Sequence, residues 1–260
     1  MSPKAAGRLR GVVVAIGVPL VFVMMATALT FGSGGASAGA AEPGWTSTTA
    51  SPTGTWTVRR QLVRPLGTPM RVSYRLHTTA PVVFITIDDG VRKDPRALRY
   101  VERMQLPVTA FLSTWTIKTS AAFFRGITQW GSIQNHTSTH ASLANSTTDL
   151  DHEICVAQQT LTNDFGTTPW LLRPPYGVGS DRMEVQITAR RCGISRMVMW
   201  NAVVDKGTLI VPGGHLREGD IVLLHFTRNL AKDLRVAVAA AKRDGLTPAS
   251  LASYWPQGVS

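Results

Sequence analysis

Cysteine is almost missing from this chain of 260 residues: there are two, Cys155 and Cys192. Neither lies near the end of the N-terminal apolar run, so a lipid-modified cysteine anchor there is unsupported. Acidic residues are also few, 16 Asp and Glu against 27 Lys and Arg, for a formal net charge of +11. Yet there is no basic helix, no zinc-finger spacing and no aromatic RNA-binding motif, so the positive balance does not read as nucleic-acid binding. It suits an anionic cell envelope or an acidic polymer. Internal repeats are absent, which argues against a repeat array. A chain of this length, 44% hydrophobic and 17% charged, can build one sizeable globular core.

The first ten residues carry Lys4, Arg8 and Arg10 and no acid, and an uncharged run follows from Val12 to Phe31. Gly32-Ser33-Gly34-Gly35 breaks the run ahead of Ala36-Ser37-Ala38. Basic, apolar, then small residues is the order of a secretory signal, and the run is also long enough to span a bilayer. Residues 1–38 are therefore a cleaved signal peptide or an uncleaved anchor. Either way the positive end stays inside and the rest of the chain is exported, secreted or held at the outer face of the cytoplasmic membrane. Any membrane contact is through that segment alone. Residues 39–79 read as a Ser/Thr/Gly/Pro-rich spacer and a lead-in with one short strand near 71–76. In an exported protein the cysteine pair is expected to be a disulfide stapling two helices, with two buried free thiols as the alternative.

The chain is organised around Val82-Val83-Phe84-Ile85-Thr86-Ile87-Asp88-Asp89-Gly90. A short β-branched apolar run bounded by a turn reads as a parallel strand buried on both faces. Two acids at its end either close the strand as a polar turn or open it onto a site, as strand ends do in α/β barrels. Alternation along the strand predicts that one acid faces a metal while its neighbour serves as a base. Downstream, strand-like and helix-like patches alternate. Helices are predicted over about 95–104, 118–130, 149–165, 181–192 and 230–244. Strands are predicted at 108–112, 132–135, 170–172, 197–200 and 221–224. This is the pattern of a parallel sheet with outer helices, most simply closed as a barrel.

The polar residues fall at strand ends. His136 and His140 stand four apart, a spacing that places two imidazoles on one face of a helical turn and suits a metal. No Glu occupies position 137, so this is not the helical zinc-protease motif. With Asp89 they make a two-His, one-carboxylate set, which favours zinc and admits other divalent ions. A cation there supplies a nucleophile from water near neutral pH. Asp88 is the candidate base, Arg173 the candidate partner that fixes its rotamer, and His225 the candidate proton donor. His77, His152 and His215 lie away from the strand ends and are assigned no chemistry.

Asp88-Asp89-Gly90 after a strand, His-Thr-x-x-His, Arg-x-Pro-Tyr and Leu-x-His occur here in that order. Together they resemble the polysaccharide deacetylases with a NodB homology domain, carbohydrate esterase family 4, over about residues 80–256. The resemblance implies a distorted (β/α) barrel and a metal-dependent hydrolase. Such enzymes take acetyl from N-acetylglucosamine polymers such as peptidoglycan or chitin, or from O-acetylated xylan. By position, Asp88 resembles the base, Asp89, His136 and His140 the metal ligands, and Arg173 the residue that orients the base. Tyr176 resembles the position whose backbone N–H meets the oxyanion, Leu223 the wall of the acetyl-methyl pocket, and His225 the general acid.

One stretch departs from the family pattern. Where members commonly carry Asp-x-x-Asp-Trp, this chain reads Met199-Trp200-Asn201-Ala202-Val203-Val204-Asp205-Lys206-Gly207. Asp205 is then the candidate for the acid that supports Arg173 and His225 or grips the substrate. Ile87 stands where an aromatic residue is frequent, which affects packing. The expected activity is removal of acetyl from an N-acetylated envelope polysaccharide. The alternatives are an O-acetyl esterase and a non-catalytic wall-binding module.

Overall fold

A computed structural model describes residues 69–255. The segment expected to be a signal or anchor, and the spacer up to residue 68, lie outside the described residues. The strands and helices follow in chain order as β1 (Val72–Ser73), β2 (Val82–Asp89), α1 (Pro95–Met104), β3 (Thr109–Leu112), α2 (Ala121–Thr128) and β4 (Ser132–Asn135). A π-helical turn at Asp151–Val156 runs into α3 (Ala157–Phe165). Then come β5 (Leu171–Leu172), α4 (Met183–Arg191), β6 (Arg196–Val198), β7 (Ala202–Asp205), β8 (Thr208–Ile210) and β9 (Ile221–His225), followed by α5 (Leu230–Arg243), β10 (Thr247–Pro248) and α6 (Leu251–Tyr254).

Local chemistry sets many of these boundaries. Asp94 caps α1 by accepting from the Arg96 N–H, and Pro95 occupies the first turn, where a missing N–H costs nothing. The expected 118–130 helix is shorter, Ala121–Thr128, and a separate 3₁₀ turn at Thr114–Thr116 precedes it. The strand expected at 197–200 starts one residue earlier and ends two earlier, Arg196–Val198. The β7–β8 hairpin was not expected. Lys206 (φ 52) and Gly207 (φ 85) form its two-residue loop, both left-handed, as a primed turn requires. Lys-Gly is a weaker hairpin signal than Asn-Gly, and only the glycine announced it.

The strands lie in the order β1-β6-β5-β4-β3-β2-β9-β7-β8, with β10 beside the start of β2. All ladders are parallel except β7–β8. The sheet curls into the distorted barrel expected from the sequence, but it does not close as a ladder. One antiparallel bridge, Arg75 with Asp220, joins the chain after β1 to the residue before β9. The packed unit also starts earlier than residue 80, because β1 pairs with β6 and Met70 is buried in the core.

Alternation along β2 sorts the interior into two faces. Val83, Ile85 and Ile87 pack outward with Ala97 and Val101 of α1, Phe124 of α2 and Leu234 of α5. Phe84 belongs to the inner cluster with Phe111, Trp170, Val198 and Ile221. Each fully buried side chain of this size contributes about 1.5–3 kcal/mol. Thr86 and Asp88 share the phase of Phe84, so the strand carries its polar groups inward and up to the C-terminal mouth.

Candidate active site

Strand register assembles the site. Asp88 sits opposite Phe111 on one side and His225 on the other, Leu112 opposite Asn135, and Asn135 opposite Leu172. The next residue along β4 is His136 and the next along β5 is Arg173. Residues far apart in sequence therefore reach one level. Asp88, Asp89, His136, His140, Pro174, Tyr176, Trp200, Leu223 and His225 line one cleft of about 330 Å³.

Strict alternation would send Asp89 to the helix side, away from Asp88. Instead Asp89 has φ 81, which turns its carboxylate back toward the mouth. Gly90 follows at φ 91, where a Cβ would stand 2.5 Å from the Thr116 hydroxyl. Both acids thus reach one site because the strand ends in left-handed backbone. His136 and His140 also meet without a helical turn. The loop between them is irregular, with Thr137 at φ 73 and His140 at φ 66. Together with Tyr176 (φ 60), the site holds four of the six non-glycine residues with positive φ among the described residues. Such strain persists only where surrounding contacts enforce it, and it concentrates at functional sites.

Asp89 Oδ1 lies 3.2 Å from His140 Nε2 and 3.4 Å from His136 Nε2. The three ligand atoms fall within 4.8 Å of one another. His136 Nδ1 lies 2.6 Å from the Arg173 carbonyl, so Nδ1 carries the proton and Nε2 is left with a free lone pair. Burial works against the Asp89 charge, but hydrogen bonding with His136 and His140 outweighs it and holds the carboxyl well below the usual carboxylate range. Hydrogen bonding to Asp89 raises His140 above the usual imidazole range, with burial opposing and Asp88 assisting. The pocket thus favours positive charge, and its N/O donor set fits a divalent cation with one side open.

Arg173 fixes Asp88. Its guanidinium is fully buried against the Phe111 ring, 4.3 Å from the centroid. It donates to Asp88 Oδ1 at 2.7 Å, Thr86 Oγ1 at 2.8 Å, and the carbonyls of Val198 and Met199 at 2.9 Å. Burial pulls its pKa down and Asp88 opposes that. An arginine nonetheless remains charged. With Oδ1 taken, Asp88 Oδ2 faces His136 Nε2 at 3.8 Å.

Asp205 does not join the site. The β7–β8 hairpin carries it to an exposed turn, where it lies 3.6 Å from Lys206 Nζ. The donors of Arg173 that an acid would accept are met by the Val198 and Met199 carbonyls instead. Cys155 and Cys192 form the expected disulfide, Cα to Cα 5.1 Å. Sequence reading missed Thr86, whose hydroxyl also donates to the Val222 carbonyl at 2.8 Å. Its signal was a polar residue in an apolar strand, in phase with Asp88. It also missed Trp200 as a cleft wall, and Glu153, a buried acid beneath the histidine loop that no motif marks.

A family model described as polysaccharide deacetylase matches residues 75–195. An uncharacterized protein of Streptomyces coelicolor is 34% identical over 192 residues, covering 69% of this chain and 75% of that one. The structure of the Bc1960 peptidoglycan N-acetylglucosamine deacetylase superposes with a TM-score of 0.60 at 20% identity, covering 70% of this chain and 92% of that one. That of BA3943, a CE4 family pseudoenzyme from Bacillus anthracis, gives 0.59 at 19% identity, covering 73% and 70%. At these identities the two structures speak for the fold. The curated relative and the family model place this chain in the polysaccharide deacetylase family.

Proposed function

We propose that this protein is an exported, metal-dependent N-deacetylase acting on an N-acetylglucosamine polymer of the cell envelope, peptidoglycan or a chitin-like chain. The observation that carries the reading is the convergence of Asp89, His136 and His140 beside an Asp88 whose one free oxygen faces them. The peptidoglycan deacetylase among the structural relatives supports the substrate class. The pseudoenzyme shows that this fold can lose activity, but here every acid, base and ligand position is filled.

Asp89, His136 and His140 would hold the cation, zinc by its donor set. When bound, it supplies Lewis-acid polarisation and acidified water. Asp88 takes the proton of the attacking water through Oδ2 while Arg173 holds Oδ1. Leu223 walls the acetyl methyl, and the Tyr176 N–H meets the developing oxyanion. As the C–N bond breaks, His225 gives its proton to the leaving amine and acetate departs. Asp205 has no part in this reaction.

Export is supported by the order of residues 1–38 and by the disulfide, which suits an oxidising compartment. The positive charge suits retention on an anionic wall. The test is acetate release from an N-acetylglucosamine oligomer, purified peptidoglycan and acetylated xylan, after chelation and again after zinc is restored. Zinc-dependent release from an amino-sugar substrate is expected. Release from xylan alone would make the protein an O-acetyl esterase. Zinc binding with no release from any substrate would make it a wall-binding module.

A further inference from the structure

The His136–His140 loop is strained at two non-glycine positions and needs something to hold it. Part of the hold is internal. The Thr137 N–H donates to Asn135 Oδ1 at 2.8 Å, and the His140 N–H donates to Thr137 Oγ1 at 3.2 Å. The rest comes from the π-helical turn. The Ser138 N–H donates to the Glu153 carbonyl at 2.9 Å and its hydroxyl to the His152 carbonyl at 2.7 Å. The Glu153 carboxylate takes both donors of Thr139, the N–H on Oε2 at 3.0 Å and the hydroxyl on Oε1 at 2.6 Å.

Glu153 is 4% exposed, and no lysine or arginine among the described residues pairs with it. A buried carboxylate without a cation is unfavourable unless hydrogen bonds compensate it. Here the compensation comes from the histidine loop: both donors of Thr139, assisted by the Thr137 hydroxyl and the Ala141 N–H on either side of it. A carboxylate accepts at both oxygens, whereas an amide turns a donor toward one of these two donors. π-Helical turns of this kind recur at functional sites.

We propose that Glu153 is a positioning residue for metal binding: through Thr139 and its loop neighbours Thr137 and Ala141 it fixes the backbone of His140 and so sets the affinity of the site for its cation. This rests on the metal-site reading of Asp89, His136 and His140. The test is zinc affinity of the apo protein, by competition with a chelating fluorophore well below the unfolding temperature. It compares wild type, E153Q, T139V and the double variant. Loss of such an outer partner lowers metal affinity about 10–100-fold, which is the loss expected for E153Q. T139V removes only the hydroxyl bond to Oε1, so it is expected to weaken zinc binding less than E153Q in the wild-type background and to add little in E153Q, because the Thr139 hydroxyl acts through the Glu153 carboxylate. E153Q binding zinc within about twofold of wild type, or the two losses simply multiplying, would overturn the proposal. Should E153Q not fold, unchanged affinity in T139V would overturn it. A wild-type protein that binds no zinc would remove the metal-site reading itself, and this inference with it.

Discussion

Replacing Arg173 with leucine probes the contact on which both the barrel interior and the candidate base depend. The guanidinium is fully buried and donates to Asp88, Thr86, Val198 and Met199. Leucine supplies none of those bonds. Thr86 loses little, because its hydroxyl still donates to the Val222 carbonyl. The Val198 and Met199 carbonyls each become bare buried acceptors, at about 1–3 kcal/mol apiece when nothing relaxes. Asp88 becomes a buried charge without a partner, and breaking such a pair costs about 3–5 kcal/mol. These penalties overlap, so the expected loss is about 5 kcal/mol. A domain of this kind has only about 5–15 kcal/mol in total. The assay is urea unfolding followed by tryptophan fluorescence, compared at constant slope. In an Asp88→Asn background the same replacement should be milder by about 2–3 kcal/mol, since no uncompensated charge remains. A loss under about 1 kcal/mol, or strictly additive effects of the two substitutions, would refute the reasoning.

Asp88→Asn is expected to lower turnover by about 10²–10⁴-fold with zinc content near wild type, whereas His140→Ala should lose both. Zinc loss in the first variant, or full zinc in the second, would remove the assigned role. The apo protein should show a pH window of stability. The depressed pKa of Asp89 makes its contribution complete above the unfolded value of about 3.9 and lost as pH falls through the folded one. The raised pKa of His140 makes its contribution complete below about 6.5 and lost as pH rises through the folded value. Urea unfolding at a series of pH values should therefore show His140→Ala abolishing part of the alkaline loss, and an unchanged profile would contradict the assignment. Removing both cysteines opens a loop of sequence separation 37, which the chain-entropy model values at about 4 kcal/mol. The paired serine variant should lose about 2–4 kcal/mol in the same assay, and no loss would mean the bridge constrains nothing in the unfolded chain.

Much of the fold was legible because local periodicity encodes it. The β2 run, the Asp94-Pro95 cap and the strand-helix alternation all act over a few residues, and the expected elements were read within one to three positions of the observed ones. The site's parts were legible as well, since Asp88-Asp89-Gly90, His136, His140, Arg173 and His225 each punctuate the end of a patterned segment.

Their arrangement was decided only in three dimensions. A period of two predicted that Asp88 and Asp89 would face opposite ways, and a left-handed residue at the strand end brought both to one mouth. A period of 3.6 predicted a helical turn for His136 and His140, and a braced loop took its place. Asp205 looked like the replacement for the acid of the altered family motif, yet the hairpin turned it outward and two backbone carbonyls satisfied Arg173 instead. Arg173 and Asp88 lie 85 residues apart, and Thr139 and Glu153 lie 14 apart on different elements. Local pattern was enough to show which residue types stand at the strand ends. Register across the parallel sheet, backbone strain and burial decided which of them meet, because those contacts join segments that no local pattern links.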